Sequence, residues 1–283
     1  MTSGNRSGTE GRGRWADLGV RVTSAAVLIV IAVILAWSSG IWLRLGVSVL
    51  TGTMIWELAR MTAWSHPEFH TVLSGEWRPL ITGILAALMT FLALTIDSNW
   101  AVLLLGIPAF AGMLGARNDL KPAFVLFAVA MGLGGYGLVL LLEAKGFAVV
   151  GWIVGCVILS DVAGYFAGKQ FGGPKFWPAI SPKKTWSGTV AGWLAAALYG
   201  LVLVVAGHAG PLLILLSPLV AFAGQMGDIA ESWLKRRTGV KDSSNLIPGH
   251  GGVMDRFDAM TGAILAALLI WLLSGLPQIG TGG

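Results

Sequence analysis

Charge, cysteine and histidine are scarce in this chain. Of its 283 residues only 12% are charged, four are His, and Cys156 is the single cysteine. One thiol excludes a disulfide framework, and because Cys156 sits inside an apolar run, a buried structural thiol is expected. Ordinary globular chains carry about a quarter charged residues, so the low charge here, with 55% hydrophobic residues, excludes a typical water-soluble domain. No internal repeat is visible, which argues against a transporter, since transporters tend to show repeated segments around interrupted helices. No short apolar stretch with a small-residue cleavage site opens the chain either. The first apolar segment therefore reads as a retained anchor.

What is present is long apolar runs. Nine segments, at about 20 to 39, 42 to 62, 80 to 96, 99 to 116, 122 to 142, 147 to 168, 189 to 207, 210 to 227 and 259 to 276, each approach the ~20 residues that a bilayer-spanning helix needs. The fold class is an all-α, multi-pass integral membrane protein. With the N-terminus in the cytoplasm and the C-terminus on the outer side, 17 of the 19 bases fall on the cytoplasmic side, leaving Arg44 and Lys145 outside. That bias accounts for most of the net charge of +5, so no nucleic-acid partner is inferred, and anionic membrane lipids are the better match. Residues 1–17 read as a disordered cytoplasmic tail, 18–145 as N-terminal transmembrane helices, and 146–283 as a catalytic transmembrane region.

The N-terminal part carries little reactive chemistry. Glu57 and Arg60 are three apart and close enough to pair, a reading preferred over a role in chemistry. His66 and His70 have a metal-compatible spacing, but Pro67 breaks the helix that would align them. Gly132, Gly134, Gly135 and Gly137 suit close helix packing.

The C-terminal part differs. Asp161 lies about 12 Å along a helix from Lys169 and shares one side with it and with Tyr165, beside Gly164 and Gly168. A charge at that depth is costly unless it lines a polar cavity or meets a cation. Ser181-Pro-Lys183-Lys184-Thr185 then leads into a helix, offering cations, a hydroxyl and free N–H groups to an anion.

Between Gly224 and Asp258, 35 positions hold five acids, Asp228, Glu231, Asp242, Asp255 and Asp258, and five bases, Lys235, Arg236, Arg237, Lys241 and Arg256. Topology alone explains the bases but not the acids. Carboxylates mixed with cations suit a divalent metal with phosphates, because hard oxygens hold Mg²⁺ while Lys and Arg neutralise phosphate oxygens. Asp228, Glu231, Ser232 and Lys235 share one helical face, and Asp255 and Asp258, three apart, can point in one direction.

From Ser232 to Asp258 the order Ser-x-Leu-Lys-Arg, four residues, Lys-Asp, a small residue at Ser244, Ile-Pro-x-His-Gly-Gly and Asp-Arg-Phe-Asp resembles the signature of the phosphatidate cytidylyltransferases (CDP-diacylglycerol synthases) without a mismatch. The Ser160-Asp161 and Ser181-to-Thr185 elements resemble segments of the same family, with departures at Val162, where many members have Thr, and at Ser187, where many have an acid. The resemblance implies transfer of CMP from CTP to phosphatidic acid, giving CDP-diacylglycerol and pyrophosphate in phospholipid biosynthesis. It implies a bacterial-type inner (plasma) membrane location, a site facing the cytoplasm, and Mg²⁺, more than one ion, as cofactor. The residues expected to carry chemistry are Asp228, Asp255, Lys235 and Arg256, with Asp228, Asp255, Asp258 and Asp161 as metal ligands. Phosphate binding is expected from Ser181, Lys183, Lys184, Thr185, Ser232, Lys235, Arg236, Lys241, Asp242, His250, Gly251 and Gly252. The partners are CTP, phosphatidic acid and membrane lipids, with a homodimer left open. A CDP-alcohol phosphotransferase is the competing enzyme reading, but its Asp-Gly-x-x-Ala-Arg core is absent.

Overall fold

The computed structural model describes residues 41–63, 77–249 and 251–276, and, apart from these, residues 23, 30, 33, 34, 37, 38, 40 and 279. The tail at 1–17, most of the first apolar segment, the His66 to His70 stretch and His250 lie outside the described residues. In chain order come α1 (Ile41–Thr62), α2 (Trp77–Thr95), a 3₁₀ segment (Asn99–Leu105) running into α3 (Gly106–Met113), α4 (Lys121–Lys145) and α5 (Phe147–Phe171). A short hairpin of β1 (Lys175–Trp177) and β2 (Ser181–Thr185) precedes α6 (Trp186–Val205), α7 (Leu213–Thr238) and α8 (Met254–Ser274). Among the described residues seven helices, all but α3, are long and apolar enough to cross a membrane. Their outward faces carry exposed Leu126, Leu198, Val205 and Leu272, as lipid-facing helices should, since tails compete for apolar side chains as well as a core does.

The segment expected as a fourth regular span is irregular. Pro108 lacks an N–H and clashes with the carbonyl four residues back, so an α-helix cannot run evenly through it, and the tighter 3₁₀ turns of Asn99–Leu105 precede α3. At ~2.0 Å per 3₁₀ residue and ~1.5 Å per α residue the combined segment still reaches about 26 Å. Its far end returns to the C-terminal end of α1, where Ala116 pairs with Ala63 and the Arg117 N–H donates to the Thr62 carbonyl at 2.9 Å.

Two large apolar cores hold the bundle, with a small third one of Leu43, Val47, Val139 and Leu142 between α1 and α4. One gathers Ile55, Leu58, Phe124 and Leu120 from α1, α4 and the turn before it with Leu234, Ile247, Val253 and Met254. The other centres on Trp152, Ile153, Val220, Ala263 and Ala267. The first core thus presses the N-terminal helices onto the α7–α8 connection, where the motif lies. Three of the four α4 glycines meet a neighbour closely: a Cβ would lie 3.0 Å from Thr261 at Gly134, 2.1 Å from Thr51 at Gly135 and 2.2 Å from Leu268 at Gly137. At Gly132 the nearest atom, in Leu105, is at an ordinary 3.4 Å.

The two ends of the bundle differ in chemistry. Arg44 and Glu143 pair at 2.9 Å, and Lys145 sits 5.0 Å from the Trp271 ring centroid, all at one end. The hairpin, the end of α7 and the start of α8, with their acids and lysines, form the other.

Candidate active site

Close contact between α5 and α6 begins the site. A Cβ at Gly188 would lie 2.6 Å from the Gly164 carbonyl, and one at Gly168 would lie 2.9 Å from Thr185 Oγ1. The backbones of Gly164 and Gly188 touch because both sides lack a side chain, and both glycines, with Gly168, also line the cleft below. Thr185 caps α6 by accepting from Gly188 N–H at 3.2 Å, and Ser187 donates its hydroxyl to the Gly172 carbonyl at the end of α5. Ser187, which stands where the resemblance leads one to expect an acid, therefore ties the start of α6 to the end of α5.

Below this contact opens a cleft of about 470 Å³ between α5, β2, α6 and α7. Asp161, Tyr165 and Lys169 line one wall on a shared side, as their spacing predicts, and Lys183, Lys184 and Asp228 line the other. Lys184 forms an ion pair with Asp228 and donates to the Gln225 carbonyl at 3.4 Å. Gln225 closes the floor: its amide donates to Ser160 Oγ at 2.9 Å and accepts from Trp193 Nε1 at 3.0 Å. Sequence reasoning passes over Gln225 and Thr189, polar positions in otherwise apolar spans, where polarity at depth is the available signal.

A second cluster lies further along α7. Lys235 Nζ is 2.7 Å from Asp255 Oδ1 and 3.3 Å from Glu231 Oε1. The other Asp255 oxygen accepts from Ser243 N–H and Oγ, both at 2.9 Å, and from Gly252 N–H at 2.8 Å. The turn that presents these donors closes where Ile247 N–H donates to the Gly251 carbonyl at 2.8 Å; Gly249 (φ 75°) and Gly251 (φ 84°) take left-handed backbone there. Glu231 is 1% exposed, and neither carboxylate oxygen has a hydrogen bond. Asp258 stands between the clusters. A Cβ on Gly227 would lie 2.3 Å from the Asp258 carbonyl, so α7 and α8 cross backbone to backbone beside Asp228.

The predicted residues therefore divide. Asp161, Lys183, Lys184, Thr185 and Asp228 meet at the cleft; Lys235, Asp255, Gly251 and Gly252 meet at the turn. Asp228 and Asp255 are engaged by different lysines, seven residues or about 10 Å of helix axis apart along α7 for Asp228 and Lys235. Among the described residues no three acidic, histidine or cysteine side chains form a ready metal site. Arg236, Lys241, Asp242 and Arg256 are exposed around these clusters, while Ser181 and Ser232 are half-buried.

Glu57 is where the sequence reading and the structure part. Its carboxylate is fully buried and is taken up far from its own helix turn: Oε1 accepts from the Ser244 hydroxyl and from Val253 N–H at 3.0 Å, and Oε2 from Met254 N–H at 2.7 Å, with Ser243 Oγ at 3.3 Å. The Arg60 guanidinium lies 5.0 Å from the Trp56 ring centroid.

A family profile described as the cytidylyltransferase family matches residues 19–274. The chain belongs to this family. The phosphatidate cytidylyltransferase of Brucella suis is 34% identical over 265 residues, which cover 92% of this chain and 94% of the relative. Those of Pseudomonas aeruginosa and Helicobacter pylori are each 38% identical, over 153 and 145 residues, about half of this chain. The two clusters lie within the matched residues, so the family profile and the polar end of the bundle concern the same part of the molecule.

Proposed function

We propose that the protein is a CTP:phosphatidate cytidylyltransferase. An oxygen of the phosphatidic acid phosphate attacks the α-phosphorus of CTP, the bond from that phosphorus to the β-phosphate oxygen breaks, and CDP-diacylglycerol and pyrophosphate are formed. The observation that carries the reading is the meeting of acids from α5, α7 and α8 with lysines from β2 and α7 at one end of a bundle of apolar helices. A phosphomonoester has its second pKa near ~6, so the nucleophile is already largely dianionic at neutral pH and no strong base is required of the protein. The task left to the residues is to hold two polyanions together.

Lys183 and Lys184 face the cleft and supply point charges to phosphate oxygens. Lys184 must leave Asp228 in part to do so, and its exchange between carboxylate and phosphate couples binding to release of the acid. Tyr165 and Phe166, exposed at 64% and 65% on α5 beside the cleft, give acyl chains an apolar approach from the bilayer. Mg²⁺, more than one ion, fits the acids: Glu231 is buried beside Asp258 and one turn from Asp228, with Lys235 Nζ 3.3 Å away and no hydrogen bond to either carboxylate oxygen, so oxygen ligands gather there that no protein hydrogen bond engages. Asp228 and Asp258 would hold the metal, with Asp161 and Asp255 at the flanks. When bound, the ion neutralises phosphate charge and stabilises the leaving pyrophosphate.

The same reading places nine crossings in the membrane, counting the 99–113 segment and the first apolar segment. The N-terminus lies in the cytoplasm, the C-terminus on the outer side, and the site faces the cytoplasm in a bacterial-type plasma membrane. Arg44 and Lys145 together at the end opposite the site support this orientation.

Purified protein in detergent with Mg²⁺ is expected to release pyrophosphate from CTP when phosphatidate is supplied and not otherwise. Folded protein inactive with every lipid phosphate and nucleotide pair refutes the assignment. Lys184→Ala removes a charged contact worth about 1.5–3 kcal/mol, so kcat/KM should fall about 10- to 100-fold. An unchanged kcat/KM would take Lys184 out of the substrate site.

A further inference from the structure

We infer that Glu57 is a positioning residue for this reaction: from α1 it fixes the 243–254 segment that carries Asp255, and it offers the Ser243 hydroxyl a second acceptor. The inference rests on the proposed cytidylyl transfer and extends it to a residue outside the motif. Glu57 does not line the cleft, so it acts through what it holds.

An ionised carboxylate with no exposure is costly unless donors surround it. Here the donors are specific. Val253 and Met254 supply N–H groups from the start of α8, which have no carbonyl partner within their own helix, and the end of the helix dipole adds to the attraction. Val253, at the N-cap, makes no side-chain cap of its own, so the cap for α8 arrives from α1, 196 residues away in the chain. Space is as constrained as charge: a Cβ on Gly252 would lie 2.6 Å from Glu57 Oε1 and 2.0 Å from Ser243 Oγ. The start of α8 can therefore sit at one height only, which sets where Asp255 meets Lys235.

Ser243 connects the two acids. Its hydroxyl lies 2.9 Å from Asp255 Oδ2 and 3.3 Å from Glu57 Oε2, and a hydroxyl has one hydrogen to give. In this arrangement the hydrogen belongs to Asp255, the shorter contact. When Asp255 engages a ligand, the hydroxyl turns to Glu57 and stays satisfied, so Asp255 is freed without leaving a buried donor unpaired.

The test compares Glu57→Gln, Glu57→Asp and Ser244→Ala in the full-length protein with CTP and phosphatidate. Gln presents an NH₂ to groups that are themselves donors, and displacement of Asp255 by about 1 Å should lower kcat about 100-fold, with KM for CTP within about threefold. Asp keeps the charge and both acceptors and should recover about tenfold of that loss, while Ser244→Ala, one contact fewer, should cost about 3- to 10-fold in kcat. Amide hydrogen exchange at 253–254 should quicken in Glu57→Gln while α5 and α6 keep wild-type protection. Wild-type kcat in Glu57→Gln, a loss confined to KM, or no recovery with Asp overturns the inference. If Glu57→Gln is not recovered folded, wild-type kcat in Ser244→Ala overturns it. Inactive wild-type protein would instead refute the cytidylyl-transfer reading, and the exchange at 253–254 still decides whether Glu57 holds the segment.

Discussion

Replacing Asp255 with asparagine is expected to lower pyrophosphate release from CTP and phosphatidate about 10³-fold, the loss that follows removal of one fixed charge from a site built for charge stabilisation. Asn keeps the shape of the side chain and changes only what it offers. One terminal group becomes an NH₂, and the hydrogen bonds that hold Asp255 all come from donors: Lys235 Nζ, Ser243 N–H and Oγ, and Gly252 N–H. Whichever way the amide turns, a donor meets a donor, and Lys235, 15% exposed, keeps only Glu231 as counter-charge. The turn then loses the acceptor that gathers it. The apolar packing of the helices does not pass through this side chain, so the protein should still reach the membrane and survive extraction. Activity within tenfold of wild type, measured with protein that elutes as a single folded species, would remove Asp255 from the proposed machinery.

Local chemistry reads well from the sequence, whereas long-range polar contact does not. The shared side of Asp161, Tyr165 and Lys169 and the close packing at Gly134, Gly135 and Gly137 follow from spacing and residue size, and the structure has both. Spacing pairs Glu57 with its near neighbour Arg60 because a residue three positions along the same helix is the only partner that spacing can offer. Its actual donors are main-chain N–H groups at the start of α8 and the Ser244 hydroxyl in the preceding segment, and no residue pattern announces a main-chain donor. Asp255 and Asp258 do both turn toward α7 and both come near Glu231, yet the ion pair with Lys235 goes to Asp255, a division that spacing on α8 cannot fix. The 99–113 segment reads as one regular span because hydropathy is blind to Pro108; its 3₁₀ start costs no apolar length and is invisible to a composition window.

The crossing of α7 and α8 gives the second large expectation: Gly227→Ala should lower turnover about 100-fold and destabilise the protein by about 1–3 kcal/mol, although alanine touches no substrate. A methyl group there would lie 2.3 Å from the Asp258 carbonyl and 3.1 Å from its carbon, and the main chain cannot swing away as a side chain can. Gly262 faces the same crossing, with a Cβ at 2.3 Å from the Ala223 carbonyl, so neither helix has slack to yield. Relief to an ordinary carbon–oxygen separation needs a shift of about 1 Å. Between helices in a bilayer, close backbone approach is itself the main source of attraction, so no hydrophobic association makes up for a looser crossing. That shift moves Asp258 relative to Asp228 and Glu231, the acids that α7 brings within reach of it. Gly151→Ala on α5, a helical position with nothing within 4 Å of the added Cβ, is the matched control and should leave activity unchanged and the unfolding temperature equal or slightly raised, since Ala is the better helix former. Gly227→Ala with wild-type turnover would mean that the spacing of α7 and α8 does not set the geometry of the acids, and with it the part of the mechanism that depends on their convergence would fall.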